Sequence, residues 1–167
     1  VRKKNVVNTM MTSIFIIGVG IVMWVLFGYS LSFAPSGNAF IGDFRWLGLE
    51  GVSLTEGYTD DASIPNMVFS AFQMMFAVIT PALITGAVAG RMKFKSIFVF
   101  TIFWSLIVYY PLAHMVWGQG GLLGADGIGA LDFAGGDVVH ISSGVSALVL
   151  CILLGKRHDY EHSIYRI

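Results

Sequence analysis

Residues 66–89 read NMVFSAFQMMFAVITPALITGAVA, and this stretch decides the fold class of the chain. It contains no Lys, Arg, Asp or Glu, and the charge-free run around it extends from residue 62 to residue 90. A helix needs about 20 apolar residues to cross the ~30 Å hydrocarbon core of a bilayer. The sequence therefore predicts a transmembrane helix over 66–89.

The rest of the chain has a matching composition. Of its 167 residues, 56% are hydrophobic and 12% are charged, and the mean hydropathy is +0.75. Soluble domains carry about 25% charged residues. Further charge-free runs predict spans near 9–33, 97–117 and 134–154. We therefore expect an all-α integral membrane protein whose four transmembrane helices form a single membrane domain.

The charges outside these spans are distributed unevenly. Loop 36–65 has one Arg and five acidic residues, and loop 118–131 has no basic residue. Because Lys and Arg concentrate on the cytoplasmic side, we expect residues 1–8, 90–96 and 155–167 inside and residues 34–65 and 118–131 outside. We expect the long outer loop to be ordered rather than a separate domain. The basic residues behind this prediction are Arg2, Lys3, Lys4, Arg91, Lys93, Lys95, Lys156 and Arg157.

Several functional sites that are common in soluble proteins do not fit the sequence. Cys151 is the single cysteine, so the chain has neither a disulfide framework nor a cysteine metal site. One helical turn cannot present Asp137, His140 and Ser142 as a nucleophilic triad. No Gly-rich loop leads to a Lys-Ser or Lys-Thr pair. We therefore expect no enzyme activity, no cofactor, no metal and no nucleic-acid partner.

Aromatic residues mark the second and third spans. Phe69, Phe72 and Phe76 fall at i, i+3 and i+7, which places their rings on one helical face. Trp117 ends the third span at the predicted outer interface. Structural interpretations stay open, because Phe in a membrane commonly faces lipid and Trp commonly anchors a helix at the interface.

The fourth run begins with DFAGGDVVHISSG, residues 132–144, which places ionisable groups at the head of an apolar segment. Asp132 stands where an N-cap would, and a carboxylate there accepts amide hydrogen bonds and faces the positive helix end. His140 lies about two turns further in, where an ionisable group indicates a function. A satisfied structural histidine is the alternative.

Considered together, these features favour a path for a small cation. Aromatic faces and an acidic outer loop attract a cation. A neck of stacked rings excludes water and ions, and an imidazole below it can donate or accept a proton. A neutral amine that has left its proton behind can pass such a neck.

Four blocks of the sequence belong together: RKKNVVNTMMTSIFIIGVGIVMWVLFGYSLSF, FQMMFAVITPALITGAVAGRMKF, YYPLAHMVWGQGGLLG and ALDFAGGDVVHISSGVSALVLCILLGKR. In these blocks the chain resembles the ammonium transporters of the Amt/Mep/Rh superfamily, and the Amt branch most closely. The last block is the most specific, since its Asp-aromatic-small-Gly-Gly start, Val-His pair, stripe of small residues and closing Gly-x-Arg fall at the family spacing.

The resemblance implies a role for each candidate residue. Phe76 is similar to the inner member of the family's phenylalanine gate, with Phe72 above it, and Trp117 is similar to the tryptophan of the outer ammonium recruitment site. Asp132 resembles the aspartate that orders this vestibule, and His140 resembles the first of the twin pore histidines. The implied activity is recruitment of ammonium, its deprotonation, and passage of ammonia through a Phe-gated, His-lined pore.

The resemblance also implies an assembly in the cell membrane. Such proteins have eleven spans built as two inverted halves, form homotrimers, and can bind a PII-type regulatory protein inside. The spans seen here match the second to the fifth, so we expect a part of a longer protein that does not conduct alone. Asp137, where relatives often carry a neutral residue, is expected either to be exposed at the outer mouth or to tune His140.

Two other functions stay open. The same residues fit an ammonium sensor, in which an Amt-like module is fused to a cytoplasmic signalling domain. His114 and His140, both on the outer halves of their spans, also permit a membrane haem protein with two axial histidines.

Overall fold

The computed structural model describes residues 6–125 and 127–156. These residues form four long helices, α1 (Val6–Phe33), α2 (Asn66–Val88), α3 (Phe94–Trp117) and α4 (Gly136–Leu154), each long and apolar enough to cross a membrane. The described residues contain no β-strand, only an isolated bridge between Gly57 and Pro65. The prediction of an all-α chain with four long apolar helices is confirmed.

The helix ends differ from the predicted spans for local reasons. α1 and α3 each begin three residues earlier than predicted, because the helical backbone continues beyond the most apolar window. α4 begins two residues later, since Gly135 adopts a left-handed conformation with φ of 95° and turns the chain into the helix. Four residues of the topology prediction, Arg2, Lys3, Lys4 and Arg157, lie outside the described residues.

Three of the four helices contain a π-helical turn. These turns are Trp24–Gly28 in α1, Ser105–Tyr109 in α3 and Gly136–Ile141 in α4. A π turn interrupts the regular i to i+4 hydrogen bonding and is frequent at functional sites. The turns of α1 and α4 lie toward the helix end that the charge pattern places outside, and that of α3 lies near the middle of the helix.

An aromatic cluster packs α1 against α3 and the outer loop. The ring of Trp24, which is almost fully buried, lies 5.7 Å from that of Tyr29 and 6.1 Å from that of Tyr110 between centroids. Tyr29 also stacks on Trp46 of the outer loop at 5.4 Å. The outer loop is therefore ordered by packing on the helix ends, as expected, and contains one 3₁₀ turn at Leu47–Leu49.

His114 fastens the outer loop to α3. Its side chain is fully buried, with Nδ1 3.1 Å from the carbonyl oxygen of Ser32 and Nε2 2.8 Å from that of Asn38. Because both ring nitrogens already face a protein acceptor, neither is available to an iron atom. The geometry therefore argues against the haem interpretation.

Arg91 joins the ends of α2 and α4 at the side predicted to be cytoplasmic. Gly90 follows α2 with φ of 72° and lets the chain turn there. The Arg91 guanidinium donates from Nη1 to the Gly155 carbonyl oxygen at 2.9 Å and from Nη2 to Cys151 Sγ at 3.3 Å. A cation at a helix C-terminus satisfies a free carbonyl group and complements the helix dipole.

Replacing Arg91 with glutamine is expected to lower the unfolding free energy of the full-length protein by about 1 kcal/mol, because this charged cap is lost. Thermal unfolding in detergent measures the change. Lys95→Gln is the matched control, since Lys95 is exposed. Equal melting temperatures for Arg91→Gln and Lys95→Gln would show that the Arg91 contacts do not stabilise the protein.

Candidate functional site

Asp132 organises the head of α4. Its Oδ1 accepts hydrogen bonds from the backbone N–H groups of Gly135 at 2.6 Å and Gly136 at 2.8 Å. Its Oδ2 accepts from those of Asp137 and Val138, both at 2.9 Å. One carboxylate thus satisfies four amide groups that a helix N-terminus would otherwise leave free.

The pKa of Asp132 is set by two opposing effects. Partial burial disfavours the carboxylate and raises the pKa, but the four backbone hydrogen bonds together outweigh it and hold the pKa below its usual value. Asp132 is therefore ionised at neutral pH. Its charge is compensated locally by the positive end of α4, so Asp132 acts on the site through geometry.

Trp117 is held by the same loop. Its indole Nε1 donates to the backbone carbonyl oxygen of Asp132 at 3.1 Å. The Trp117 ring lies 5.6 Å from that of Phe76, and Phe76 meets Phe72 edge-to-face at 5.2 Å between centroids. Three aromatic rings thus form a continuous row from the Asp132 loop along α2. Phe72, at 55% exposure, is the most open of the three.

Phe69 does not extend this row. Its ring stacks on Tyr58 at 4.9 Å and packs edge-on against Phe33 at 5.2 Å, so it belongs to the packing of the outer loop. Helical spacing alone cannot show this, because residues on one face of a helix contact whatever packs there at their own depth. Gln73, which follows Phe72, is buried instead of lining the row.

Two pockets open on this side of the molecule. The first, of about 350 Å³, is lined by Trp117, Asp132 and Phe133 among others. The second, of about 530 Å³, contains three carboxylate side chains, Glu56, Asp60 and Asp61. Three of the five acidic residues of the outer loop therefore line the second pocket, while Trp117 lines the first.

Tyr58 and Gln119 line both pockets and were not predicted as site residues. The Tyr58 hydroxyl donates to the Phe33 carbonyl oxygen at 3.0 Å and accepts from the Gln119 backbone N–H at 3.1 Å. Burial raises the pKa of Tyr58 to about 12, against the opposing hydrogen bond from Gln119, so the hydroxyl keeps its proton. No sequence signal pairs these residues, which lie 61 positions apart.

His140 and Asp137 lie in the π-helical turn that opens α4. The His140 side chain is exposed and the Asp137 side chain is partly buried. Neither side chain has a hydrogen bond or ion pair within residues 6–125 and 127–156. The structure therefore brings Phe72, Phe76, Trp117 and the Asp132 backbone together, and it leaves the His140 side chain exposed.

The family model named Ammonium Transporter Family matches residues 1–167, the entire sequence. The chain belongs to the ammonium transporter family. The sequence blocks that resemble this family, including the one around Asp132 and His140, all lie within the matched residues.

Individual relatives agree with this assignment. The ammonium transporter of Bacillus subtilis strain 168 is 54% identical over 159 residues, covering 95% of this chain and 38% of that protein. Ammonium transporter 1 of Dictyostelium discoideum is 44% identical over 160 residues, covering 96% of this chain and 34% of that protein. These relatives are named for transport rather than for catalysis. The chain spans well under half of the length of these two relatives.

Solved structures resemble the fold as well. The crystal structure of Saccharomyces cerevisiae Mep2 superposes with a TM-score of 0.78 at 36% identity, covering 89% of this chain and 33% of that one. Candida albicans Mep2 gives 0.74 at 36% identity, covering 90% and 31%. The four helices of this chain therefore match about a third of the Mep2 membrane-protein fold.

Proposed function

We propose that the whole protein carries ammonium across the cell membrane and that this chain supplies the outer recruitment site and one wall of the pore. The observation that carries the proposal is the row of aromatic rings held at the Asp132 loop. Its members are Trp117 and Phe76, 5.6 Å apart, and Phe72 beyond them. Electron-rich ring faces attract a small cation most strongly where water is partly excluded.

The path continues from this row to His140. Ammonium is recruited beside Trp117, where the indole is fixed by its hydrogen bond to the Asp132 carbonyl. Phe76 and Phe72 form the gate, which a neutral molecule passes more readily than an ion because ions keep their hydration shell. The cation transfers one proton to solvent water at the outer mouth before passage, and His140 then guides ammonia inward as a hydrogen-bonding group.

The topology belongs to the same proposal. Residues 90–96 and 155–167 are cytoplasmic and the two outer loops face the other side, following the positive-inside rule. The complete protein forms a homotrimer with eleven spans per subunit, and a PII-type regulatory protein docks on its cytoplasmic side. Support comes from membership in the ammonium transporter family.

Uptake of radiolabelled methylammonium by cells lacking their own ammonium transporters tests the proposal. Expression of the full-length protein is expected to restore saturable methylammonium uptake, and added ammonium is expected to inhibit it competitively. Binding of ammonium without uptake would favour a sensor and contradict transport. A membrane preparation with the protein inserted in the expected amount is the necessary control.

The 167-residue chain expressed by itself is expected to give no uptake, although it inserts into the membrane. His140 and Phe72 are exposed on its surface, so this wall of the path is open on one side. The measurement compares the chain with the full-length protein at equal membrane content. Uptake by the chain alone would show that four helices suffice.

A further inference from the structure

Tyr58 of the outer loop joins the ends of two transmembrane helices. Its hydroxyl donates to the carbonyl oxygen of Phe33, the last residue of α1, at 3.0 Å. The same hydroxyl accepts from the backbone N–H of Gln119, two residues beyond the end of α3, at 3.1 Å. The Gln119 side chain returns the contact, since its Nε2 donates to the Tyr58 carbonyl oxygen at 3.0 Å. We call these two reciprocal hydrogen bonds the Tyr58–Gln119 pair.

The Tyr58 ring holds the hydroxyl in one place. It stacks on Phe69 of α2 with 10° between the ring planes, and it packs edge-on against Phe33 of α1 with 5.6 Å between centroids. Aromatic contacts of this kind add stabilisation beyond the area that they bury. Rings from two spanning helices, in addition to the outer loop itself, therefore fix the position from which Tyr58 meets Gln119.

The chain between Trp117 and Gln119 has little freedom to move. The Gly118 N–H donates to the His114 carbonyl oxygen at 2.9 Å. A side chain at Gly118 would place its Cβ 2.6 Å from His114 Nδ1 and 3.0 Å from the Ser32 carbonyl oxygen, so the backbone is closely packed there. Because close-packed regions transmit strain, a shift of Gln119 reaches Trp117 through this single residue.

Tyr58 and Gln119 also belong to the wall of the Trp117 pocket. Both line the pocket of about 350 Å³ that Trp117 and Asp132 line. The Trp117 indole is held directly by its hydrogen bond to the Asp132 carbonyl oxygen at 3.1 Å. Two hydrogen-bonded contacts thus fix Trp117, one from the Asp132 loop to its ring and one from the Tyr58–Gln119 pair to its backbone.

From this arrangement we propose that Tyr58 is a positioning residue of the ammonium recruitment site, and that it acts on Trp117 through Gln119. The inference rests on the proposed transport function. Cation–π attraction depends on the cation lying over the ring face, so a displaced indole binds ammonium less tightly. The displacement weakens binding at the outer mouth and leaves the later steps of passage unchanged.

Ammonium-evoked currents from proteoliposomes on a solid-supported membrane test this role in the full-length protein. Tyr58→Phe, which keeps the ring and removes the hydroxyl, is expected to raise the half-saturating ammonium concentration about fivefold. Gln119→Ala, which removes the side-chain half of the pair, is expected to raise it about threefold. The maximal current of both variants, at equal protein content, is expected to stay within about 1.5-fold of the wild type.

Tyr29→Phe is the matched control. It too removes a tyrosine hydroxyl at the outer end of α1, where Tyr29 donates to Asn66 Oδ1 in the buried packing against α2. Tyr29→Phe loosens the contact between helices, whereas Tyr58→Phe frees Gln119. We therefore expect Tyr29→Phe to lower the melting temperature and to leave half-saturation within about 1.5-fold of the wild type.

The double variant Tyr58→Phe/Gln119→Ala tests whether the two residues act through one contact. We expect its half-saturation to stay about fivefold above wild type, because effects within one hydrogen-bonded network are not additive. An increase of about fifteenfold, the product of the two single effects, overturns the proposal. Tyr58 would then act on the cation independently of Gln119.

Other outcomes also count against the proposal. Wild-type half-saturation in either single variant overturns it, and so does an equal increase in Tyr29→Phe and Tyr58→Phe. Gln119 is exposed, so Gln119→Ala keeps the test valid if Tyr58→Phe fails to assemble. Absence of current in the wild type contradicts the transport function itself, whereas wild-type current with unchanged half-saturation in the variants contradicts the role of Tyr58 alone.

Discussion

Asp132→Ala is expected to lower the unfolding free energy of the full-length protein by about 3 kcal/mol and to abolish ammonium uptake. Four amide groups at the head of α4 lose their acceptor at once. The loop that fixes the Trp117 indole through the Asp132 carbonyl then loses its shape. Chemical or thermal unfolding measures the first effect, and methylammonium uptake measures the second.

Asp132→Asn removes the negative charge of the side chain and keeps one of its two acceptor oxygens. Asparagine keeps one acceptor oxygen but turns its amide group toward backbone donors, so we expect a loss of stability between those of wild type and Asp132→Ala. Asp61→Asn is the control, because Asp61 lies in the outer-loop pocket. Full uptake with Asp132→Ala would show that the loop needs no carboxylate.

The pH dependence of this contribution has a definite sign. The pKa of Asp132 is lower in the folded protein than the ordinary carboxyl value of about 3.9. Its stabilising effect is therefore fully present above that ordinary value and is lost as the pH falls through the folded pKa. The difference in stability between wild type and Asp132→Asn should shrink on acidification below about pH 4. A difference that grows in acid would contradict the assignment.

Trp117→Leu is expected to raise the half-saturating ammonium concentration about tenfold, because a leucine cannot offer a ring face to a cation. The Phe76 ring, 5.6 Å away, loses one of its two aromatic neighbours in the same variant and keeps Phe72. Trp117→Phe keeps a ring and loses only the hydrogen bond to Asp132, so about a threefold change is expected. Currents measured over a range of ammonium concentrations distinguish the two variants.

An equal effect of Trp117→Leu and Trp117→Phe would mean that the indole hydrogen bond, rather than the ring face, sets the affinity for ammonium. A loss of maximal current without a change in half-saturation would assign Trp117 to the folding of the loop. Either result would move the recruitment site away from the aromatic row.

The four helices follow from the sequence because a bilayer imposes a simple rule. A charge-free run of sufficient length, such as 62–90, has few alternatives to crossing the membrane as a helix. The capping role of Asp132 was also predictable, since a carboxylate before an apolar run matches a known preference at helix N-termini. The predicted N-cap position was wrong by three residues, because the helix begins at Gly136 and Gly135 occupies the N-cap. Spacing and position singled out Phe76 and Trp117, and the resemblance to the family implied their roles.

Other features depend on contacts between distant parts of the chain. The histidine that holds the outer loop, His114, binds carbonyl groups of Ser32 and Asn38, which are 82 and 76 positions away. Phe69 shares the helical spacing of Phe72 but packs against Tyr58 of the loop. Periodicity predicts which face a residue occupies, not what packs against that face.

The π-helical turns were equally outside the reach of sequence patterns. One extra residue in the turn Gly136–Ile141 hardly alters the hydrophobic periodicity of a 19-residue span that is apolar on all sides. It does change which side chains follow one another on a face. The positions of Asp137 and His140 relative to each other therefore required the structure.

Anomalous X-ray diffraction from crystals of the full-length protein soaked in thallium(I) tests most directly whether a cation binds at the aromatic row beside Trp117. Thallium(I) carries the charge of ammonium and scatters strongly. We expect an anomalous peak against the rings of Trp117 and Phe76. A peak confined to the pocket of Glu56, Asp60 and Asp61, with none beside Trp117, would contradict it.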